Sequence, residues 1–154
     1  MDAHQLAGEL TDARATFLEK LDRVLSERGP DTKLAGEWGA RELVAHLGYW
    51  AGHVAEAIHA VEQGRGDEFE VGDQEVAVRN ETVARVARQA SFATVRRREA
   101  ASVEALTERL EALDPALLDT RLATWGTLHD GIREDGAIHY RVHADDLAAT
   151  EPVG

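Results

Sequence analysis

A helix opens at Trp38-Gly39-Ala40-Arg41-Glu42-Leu43-Val44-Ala45-His46-Leu47-Gly48-Tyr49-Trp50, the stretch on which the fold of this chain depends. Apolar residues recur there at steps of three and four, which is typical of an amphipathic helix with a single inner face. Gly39 is an acceptable N-cap, and Glu42 falls where a negative charge stabilises the start of a helix. We expect this helix to span about 40–63, with an inner face of Leu43, Leu47, Trp50, Val54, Ile58 and Val61.

The segments on either side carry the same kind of pattern. It predicts a first helix that ends at Gly29-Pro30, a less regular third helix, a fourth helix capped by Ser91, and a last helix near the C-terminus. These predicted helices span about 2–28, 74–89, 92–113 and 128–149. No segment is typical of a strand. We therefore expect an all-α fold, a four-helix bundle with one extra short helix, as a single domain over residues 1–154.

The composition excludes several classes of function. The chain has no cysteine, so it has no thiolate metal site and no cysteine nucleophile, and a thiol could enter only as a substrate. A net charge of -12 argues against binding to nucleic acid, which needs clustered Lys and Arg. Because no signal-peptide pattern and no long apolar run is present, we expect no membrane association and a cytoplasmic location. The oligomeric state stays open: an apolar helix face could serve a homodimer, but no exposed heptad seam requires one.

Two histidines near the C-terminus are spaced for metal binding. On a helix, His139 and His143 lie one turn apart, so both imidazoles can point at the same ion. Both fall on the predicted inner line of the last helix, where a bundle expects apolar side chains. That line is Leu128, Ile132, Gly136, His139, His143 and Leu147. The alternative is a pair of histidines tolerated at a half-exposed helix seam.

Other polar residues also fall on or near inner faces. His46 lies one turn before Trp50 and faces the edge of the core. His53 has nearly the same azimuth but lies about 10.5 Å farther along the helix, too far to share one ion with His46 and suited to lining a pocket beside it. Asn80 lies among small apolar residues of the third helix, so it is hydrogen-bonded, lines a cavity, or lies at an exposed edge.

Several segments resemble the DinB/YfiT-like metalloenzymes. The opening stretch 38–50 is similar to the family's W-S-x-x-[DE]-x-x-x-H-L-x-x-W, although Gly39 stands where the family usually has Ser or Thr. His139-Tyr140-Arg141-Val142-His143 is similar to the family's H-Y-x-x-H, and the stretch 79–113 resembles its middle helices, so the resemblance covers nearly the whole chain. The chain also resembles the N-terminal bundle domain of the mycothiol-dependent maleylpyruvate isomerases, which continue into a C-terminal domain.

The resemblance implies a divalent metal held by one histidine of the second helix and two of the last, here His46, His139 and His143. Zinc and nickel both suit three imidazoles, which leave a coordination position open for water or substrate. The family also implies action on a small electrophilic molecule, either by a transferase that uses a low-molecular-weight thiol such as mycothiol or by a detoxifying hydrolase. The residues expected to line the substrate pocket are Tyr49, Trp50, His53 and Asn80.

A carboxylate lies close in sequence to the last of these histidines. Asp146 follows His143 by about one turn and is expected to orient that ligand, unless it is a solvated residue at the helix end. The alternative function is a non-catalytic bundle, used for small-molecule binding or dimerisation, with a vestigial metal site.

Overall fold

Six α-helices make up most of the computed structural model, which describes residues 1–149. They are α1 (Ala3–Arg28), α2 (Ala40–Glu62), α3 (Asp73–Ala87), α4 (Phe92–Ala112), α5 (Leu128–Glu134) and α6 (Ala137–Ala149). The connections contain two 3-10 turns, Gly66–Glu68 and Pro115–Asp119, and an antiparallel hairpin of β1 (Arg121–Leu122) and β2 (Gly126–Thr127). The all-α prediction is confirmed. None of the described helices is long and apolar enough to cross a membrane.

Capping residues set most of the predicted helix starts. The Asp2 side chain accepts a hydrogen bond from the backbone of Gln5 over 2.8 Å at the start of α1. Gly39 caps α2, where Oε2 of Glu42 accepts from the Gly39 backbone over 3.1 Å, and the Ser91 side chain caps α4. These bonds satisfy backbone N–H groups that a helix start leaves free, which is why short local signals place the starts so well.

Helix α2 lies at the centre of the packing. It packs against α3 and α4, while α1 packs against α6. Every residue of its predicted inner face is buried: Leu43, Leu47, Trp50, Val54, Ile58 and Val61. Each such side chain contributes about 1.5–3 kcal/mol when removed from water, so this face anchors the single hydrophobic core that the described helices share.

The prediction of one continuous last helix is wrong. The chain leaves the helix at Asp135, whose φ and ψ are -96° and 4°, and α6 starts again at Ala137. At Gly136 a Cβ atom would overlap the carbonyl oxygen of Ile132, so the connection is too tight for any other residue. The predicted helix of 128–149 is therefore two shorter helices.

This break turns the inner face of α6. The most buried residues of that helix are Ala137, Tyr140, Ala144 and Leu147. His139 and His143, predicted on the inner line, are instead half-buried beside it. Both therefore border the core, and His139 also lines the cavity described below.

A buried polar network fixes the position of α6 along the neighbouring helices α1 and α4. Both oxygens of Glu99 in α4 accept from the guanidinium of Arg14 in α1. The Tyr140 hydroxyl donates to Oε1 of the same carboxylate over 2.7 Å. Because Tyr140 follows His139 directly, this network helps to set the position of the histidines on α6.

The single domain over residues 1–154 stays a prediction, and residues 150–154 lie outside the described part of the chain.

Candidate metal centre

Three histidines from two helices meet at one end of α2. His46 comes from α2, whereas His139 and His143 lie one turn apart on α6. One ring nitrogen of each lies within 4.8 Å of the others, and the closest pair is Nε2 of His46 and Nε2 of His139, 2.9 Å apart. The nitrogens of a tetrahedral zinc site are about 3.3 Å apart when each bond is about 2.0 Å. This distance falls between the 2.9 Å of the His46–His139 pair and the 4.8 Å that limits the separations within the cluster.

Burial keeps these imidazoles neutral near pH 7. Burial, together with the neighbouring histidines, lowers the pKa of His46 to about 4 and that of His139 to about 3. Burial also lowers the pKa of His143, although the nearby Asp146 opposes the change. The neutral ring is the form that binds a metal, so these residues need not lose a proton to do so.

Asp146 contacts the outer nitrogen of His143. Its Oδ2 lies 3.1 Å from Nδ1 of His143, so a proton on Nδ1 is donated to the carboxylate and Nε2 is left free. The Asp146 side chain is about half exposed, at 49%. The contact expected from the sequence is present, and its role in orienting a metal ligand stays a prediction.

The other two ligand candidates leave polar atoms without partners. Nδ1 of His46 and Nδ1 of His139 are buried and have no hydrogen-bond partner among the described residues. Trp38 covers His46 from one side, with ring centroids 5.0 Å apart. Unpaired buried nitrogens are rare in folded proteins, and their presence in neighbouring rings is typical of a functional site.

A cavity of about 280 Å³ opens beside His46 and His139. The remaining residues that line it are Trp50, His53, Val71, Val76, Asn80, Thr124, Trp125 and Asp135. Nε1 of Trp50 donates to Oδ1 of Asn80 over 2.7 Å, so Asn80 is both hydrogen-bonded and at the cavity wall. Burial and the charge of Arg79 lower the pKa of His53 to about 4, so the His53 ring is also neutral near pH 7.

Tyr49 does not line this cavity. It lies at a separate cavity between α2, α3 and α4, where its hydroxyl accepts a hydrogen bond from Arg79 over 3.2 Å. Of the four residues expected at the substrate pocket, the structure thus brings Trp50, His53 and Asn80 together and places Tyr49 elsewhere.

Asp135 lies in the cavity wall, although no sequence pattern predicts it there. Burial, together with the negative charge of Glu134, raises the pKa of its carboxyl to about 7. No described residue forms a hydrogen bond or ion pair with this side chain, in contrast to the paired carboxylates elsewhere in the chain. The dipeptide Asp135-Gly136 is a common turn signal, and it could have shown the helix break that brings Asp135 here.

Trp125 is the second cavity residue that sequence patterns missed. It lies in the three-residue loop between β1 and β2, just before Gly126, whose φ is +97°. Its ring packs on the backbone of α5 at Gly131, where a Cβ atom would overlap the ring. A glycine that faces a tryptophan six residues earlier leaves no periodic signal, so this contact needs the folded chain to be seen.

This arrangement can hold a cation next to a pocket for a small molecule. An ion held by these three neutral nitrogens would keep at least one coordination position free for water or another ligand. Comparison of the chain with family models, with curated proteins and with solved structures finds no match.

Proposed function

We propose that the chain is a metal-dependent enzyme of the DinB/YfiT-like type, with a four-helix bundle that holds zinc or nickel on His46, His139 and His143. The observation that carries the proposal is the convergence of these three side chains from α2 and α6, with ring nitrogens within 4.8 Å of one another. Their neutral state and the adjoining cavity support it.

The chain's own residues supply binding and orientation. The carboxylate of Asp146 holds His143 in the tautomer that leaves Nε2 free, and the bond from Trp50 to Asn80 fixes the cavity wall. Asp135 adds a carboxyl group that can exchange a proton near neutral pH. A bound divalent metal supplies Lewis acidity and lowers the pKa of a water or thiol bound to it.

The substrate in this proposal is a small electrophilic molecule, consumed by transfer to a low-molecular-weight thiol such as mycothiol or by hydrolysis. Without cysteine, the chain cannot supply the thiol itself. A cytoplasmic location, a homodimer and the absence of a nucleic-acid partner belong to the same proposal and are carried over from the sequence.

A second candidate is a binding bundle whose metal site is vestigial. The 2.9 Å contact between Nε2 of His46 and Nε2 of His139 favours it, because one ring can donate to the other without an ion. The two candidates therefore differ in metal content.

Metal analysis of the full chain, purified without a histidine tag, tests the proposal. We expect about one equivalent of zinc or nickel, lost in a folded His46→Ala variant. His59→Ala is the matched control, because His59 lies on the same helix but is exposed and should leave the metal content unchanged. Protein that takes up no metal under any loading condition, with zinc and nickel both tried, would favour the binding bundle.

A second measurement separates transfer from hydrolysis. The metal-loaded protein is given a model electrophile with and without a thiol, and loss of the electrophile is followed. A rate that rises with thiol concentration supports transfer, whereas a rate independent of thiol supports hydrolysis.

A further inference from the structure

We propose that the ligand of this site is an uncharged planar ring that carries one metal-binding group, and that the cavity beside the histidines selects the ring. The inference rests on the proposed function and adds the class of substrate to it. Three features of the cavity wall carry it: its aromatic rings, its charge and its size.

Aromatic side chains form one corner of the cavity. Trp50 and Trp125 each meet the ring of His53 at nearly a right angle, with interplanar angles of 80° and 77° and centroid distances of 5.0 and 5.7 Å. Phe69 packs against both His53 and Trp125, at 4.7 and 5.8 Å. A flat ring that enters this corner can stack on one ring while its edge meets another, the two arrangements that aromatic pairs prefer.

The rings of this corner are held in place before any ligand arrives. The hydrogen bond to Asn80 fixes the Trp50 indole, and contact with the Gly131 backbone fixes the Trp125 indole. Thr124 accepts from the backbone of Val71 and donates to the carbonyl of Phe69, which ties the hairpin to the loop that carries Phe69. Because little side-chain freedom remains to be lost, a ring that fits gains affinity from this corner.

The charges around the cavity select against ions. No Lys or Arg is among the described residues that line it, and Asp135 is the only carboxylate there. A cationic substituent on the ring would be repelled by the metal, and an anionic one placed away from the metal would meet Asp135 with no Lys or Arg of the described lining to compensate it. An uncharged ring with a single metal-binding group avoids both costs.

The size of the cavity sets the scale of the ligand. A cavity of about 150 Å³ is enough for benzene. The 280 Å³ here therefore suits one substituted ring with a small donor group, and the bulk of a sugar-containing thiol would have to remain outside.

Binding of two hydroxamates to the zinc-loaded full chain tests the inference. Benzohydroxamate and cyclohexanecarbohydroxamate present the same metal-binding group and rings of similar size, but only the first ring is planar. By calorimetry we expect benzohydroxamate to bind about three- to tenfold more tightly than cyclohexanecarbohydroxamate. One favourable aromatic contact contributes about that much affinity beyond the burial of apolar area. Equal affinities, or tighter binding of the cyclohexane compound, would overturn the inference.

Two substitutions locate the preference. Trp125→Leu keeps an apolar side chain at the half-buried corner and should reduce the ratio of the two affinities to about one. Trp38→Leu is the matched control, because Trp38 packs on His46 without lining the cavity, and it should leave the ratio unchanged. A ratio that survives Trp125→Leu would place the selectivity outside this corner and contradict the inference.

Zinc content is measured first, so that failure of the proposed function is seen separately. If the chain takes up neither zinc nor nickel, the proposed function fails, and the corner is tested on metal-free protein with benzyl alcohol and cyclohexylmethanol by saturation-transfer NMR. Preference for benzyl alcohol that Trp125→Leu abolishes would support ring selection without the metal. No such preference would overturn it.

Discussion

Gly48 of α2 packs directly on the backbone of Glu99 in α4: a Cβ atom on Gly48 would lie 2.9 Å from Cα of Glu99. Since backbone cannot turn aside as a flexible side chain can, Gly48→Ala must push the two helices apart. We expect a loss of about 1–3 kcal/mol in the free energy of unfolding, as for other overpacked cores. Urea denaturation followed by circular dichroism measures it.

Gly52→Ala is the matched control, one turn farther along the same helix. A Cβ atom there meets Oγ of Ser102 at 3.9 Å, an ordinary contact. Alanine should then stabilise α2 by up to about 1 kcal/mol, because glycine is the poorer helix former. If both variants lose the same stability, close packing at Gly48 is not the cause.

The buried carboxylate of Glu99 leads to a second prediction about the free energy of unfolding. Its side chain is 1% exposed, and it accepts from both Arg14 and Tyr140. Glu99→Ala leaves a partly buried guanidinium and a buried hydroxyl without an acceptor, so we expect a loss near the lower end of about 3–5 kcal/mol. Tyr140→Phe removes only the hydroxyl and should cost about 1.5–3 kcal/mol.

An exposed ion pair is the control for these two variants. Glu19 and Arg23 lie 3.6 Å apart on α1, and both side chains are more than half exposed. Glu19→Ala should leave the urea midpoint almost unchanged, because exposed pairs contribute little. A similar loss in all three variants would mean that the buried network contributes no more to stability than an exposed ion pair does.

Local signals explain why so much of the fold could be predicted from the sequence. The cap at Gly39 and the apolar stripe of α2 depend only on neighbouring residues, and both are present in the structure. Glu99 shows a signal that was available but unused. The buried apolar residues of α4 pass from Val95 to Val103 without a member between them, and Glu99 fills that gap.

The candidate site was harder to predict because part of it depends on a break in regular structure. The spacing of His139 and His143 is local, and the resemblance to the DinB/YfiT-like family implied His46 as their partner; the structure brings the three side chains together. Asp135 and Trp125 reach the cavity through a broken helix and a three-residue hairpin loop, for which hydrophobic periodicity gives no signal. Sequence reasoning therefore found the histidines and missed half of the surroundings that would act on a ligand.

The hydrogen bond from His143 to Asp146 makes a prediction about metal affinity. In Asp146→Asn the carboxylate is lost and His143 is free to turn, so the zinc dissociation constant should rise about tenfold, the low end of such effects, because Asp146 is half exposed. Competition with a zinc-binding dye measures it. The neighbouring Asp145→Asn, an exposed position with no contact to the histidines in the described structure, should leave affinity unchanged. Equal effects would indicate a general influence of negative charge.

The raised pKa of Asp135 predicts how the stability of the metal-free protein depends on pH. The pKa of its carboxyl is about 7 in the folded chain, against a usual value of 3.8, because burial and Glu134 oppose its charge. Between pH 3.8 and about 7 the carboxyl is protonated more in the folded chain than in the unfolded chain. The free energy of unfolding therefore falls as pH rises through this range, and the full destabilisation by Asp135 is present above pH 7. In Asp135→Asn this cost is absent.

We therefore expect Asp135→Asn to gain stability relative to the unmodified chain as pH rises from 4.5 to 8, with about a quarter of the full difference already present at pH 4.5, because the unfolded carboxyl is mostly ionised there. Chelator-treated samples compared by urea denaturation at several pH values show this as two diverging curves. Asp130→Asn on α5 is the control: hydrogen bonds from Thr127 hold the pKa of Asp130 below its usual value, so both states are ionised throughout the range and the difference should be flat. A flat difference for Asp135→Asn as well would mean that its carboxyl is already charged, and its part in proton exchange at the proposed site would have to be abandoned.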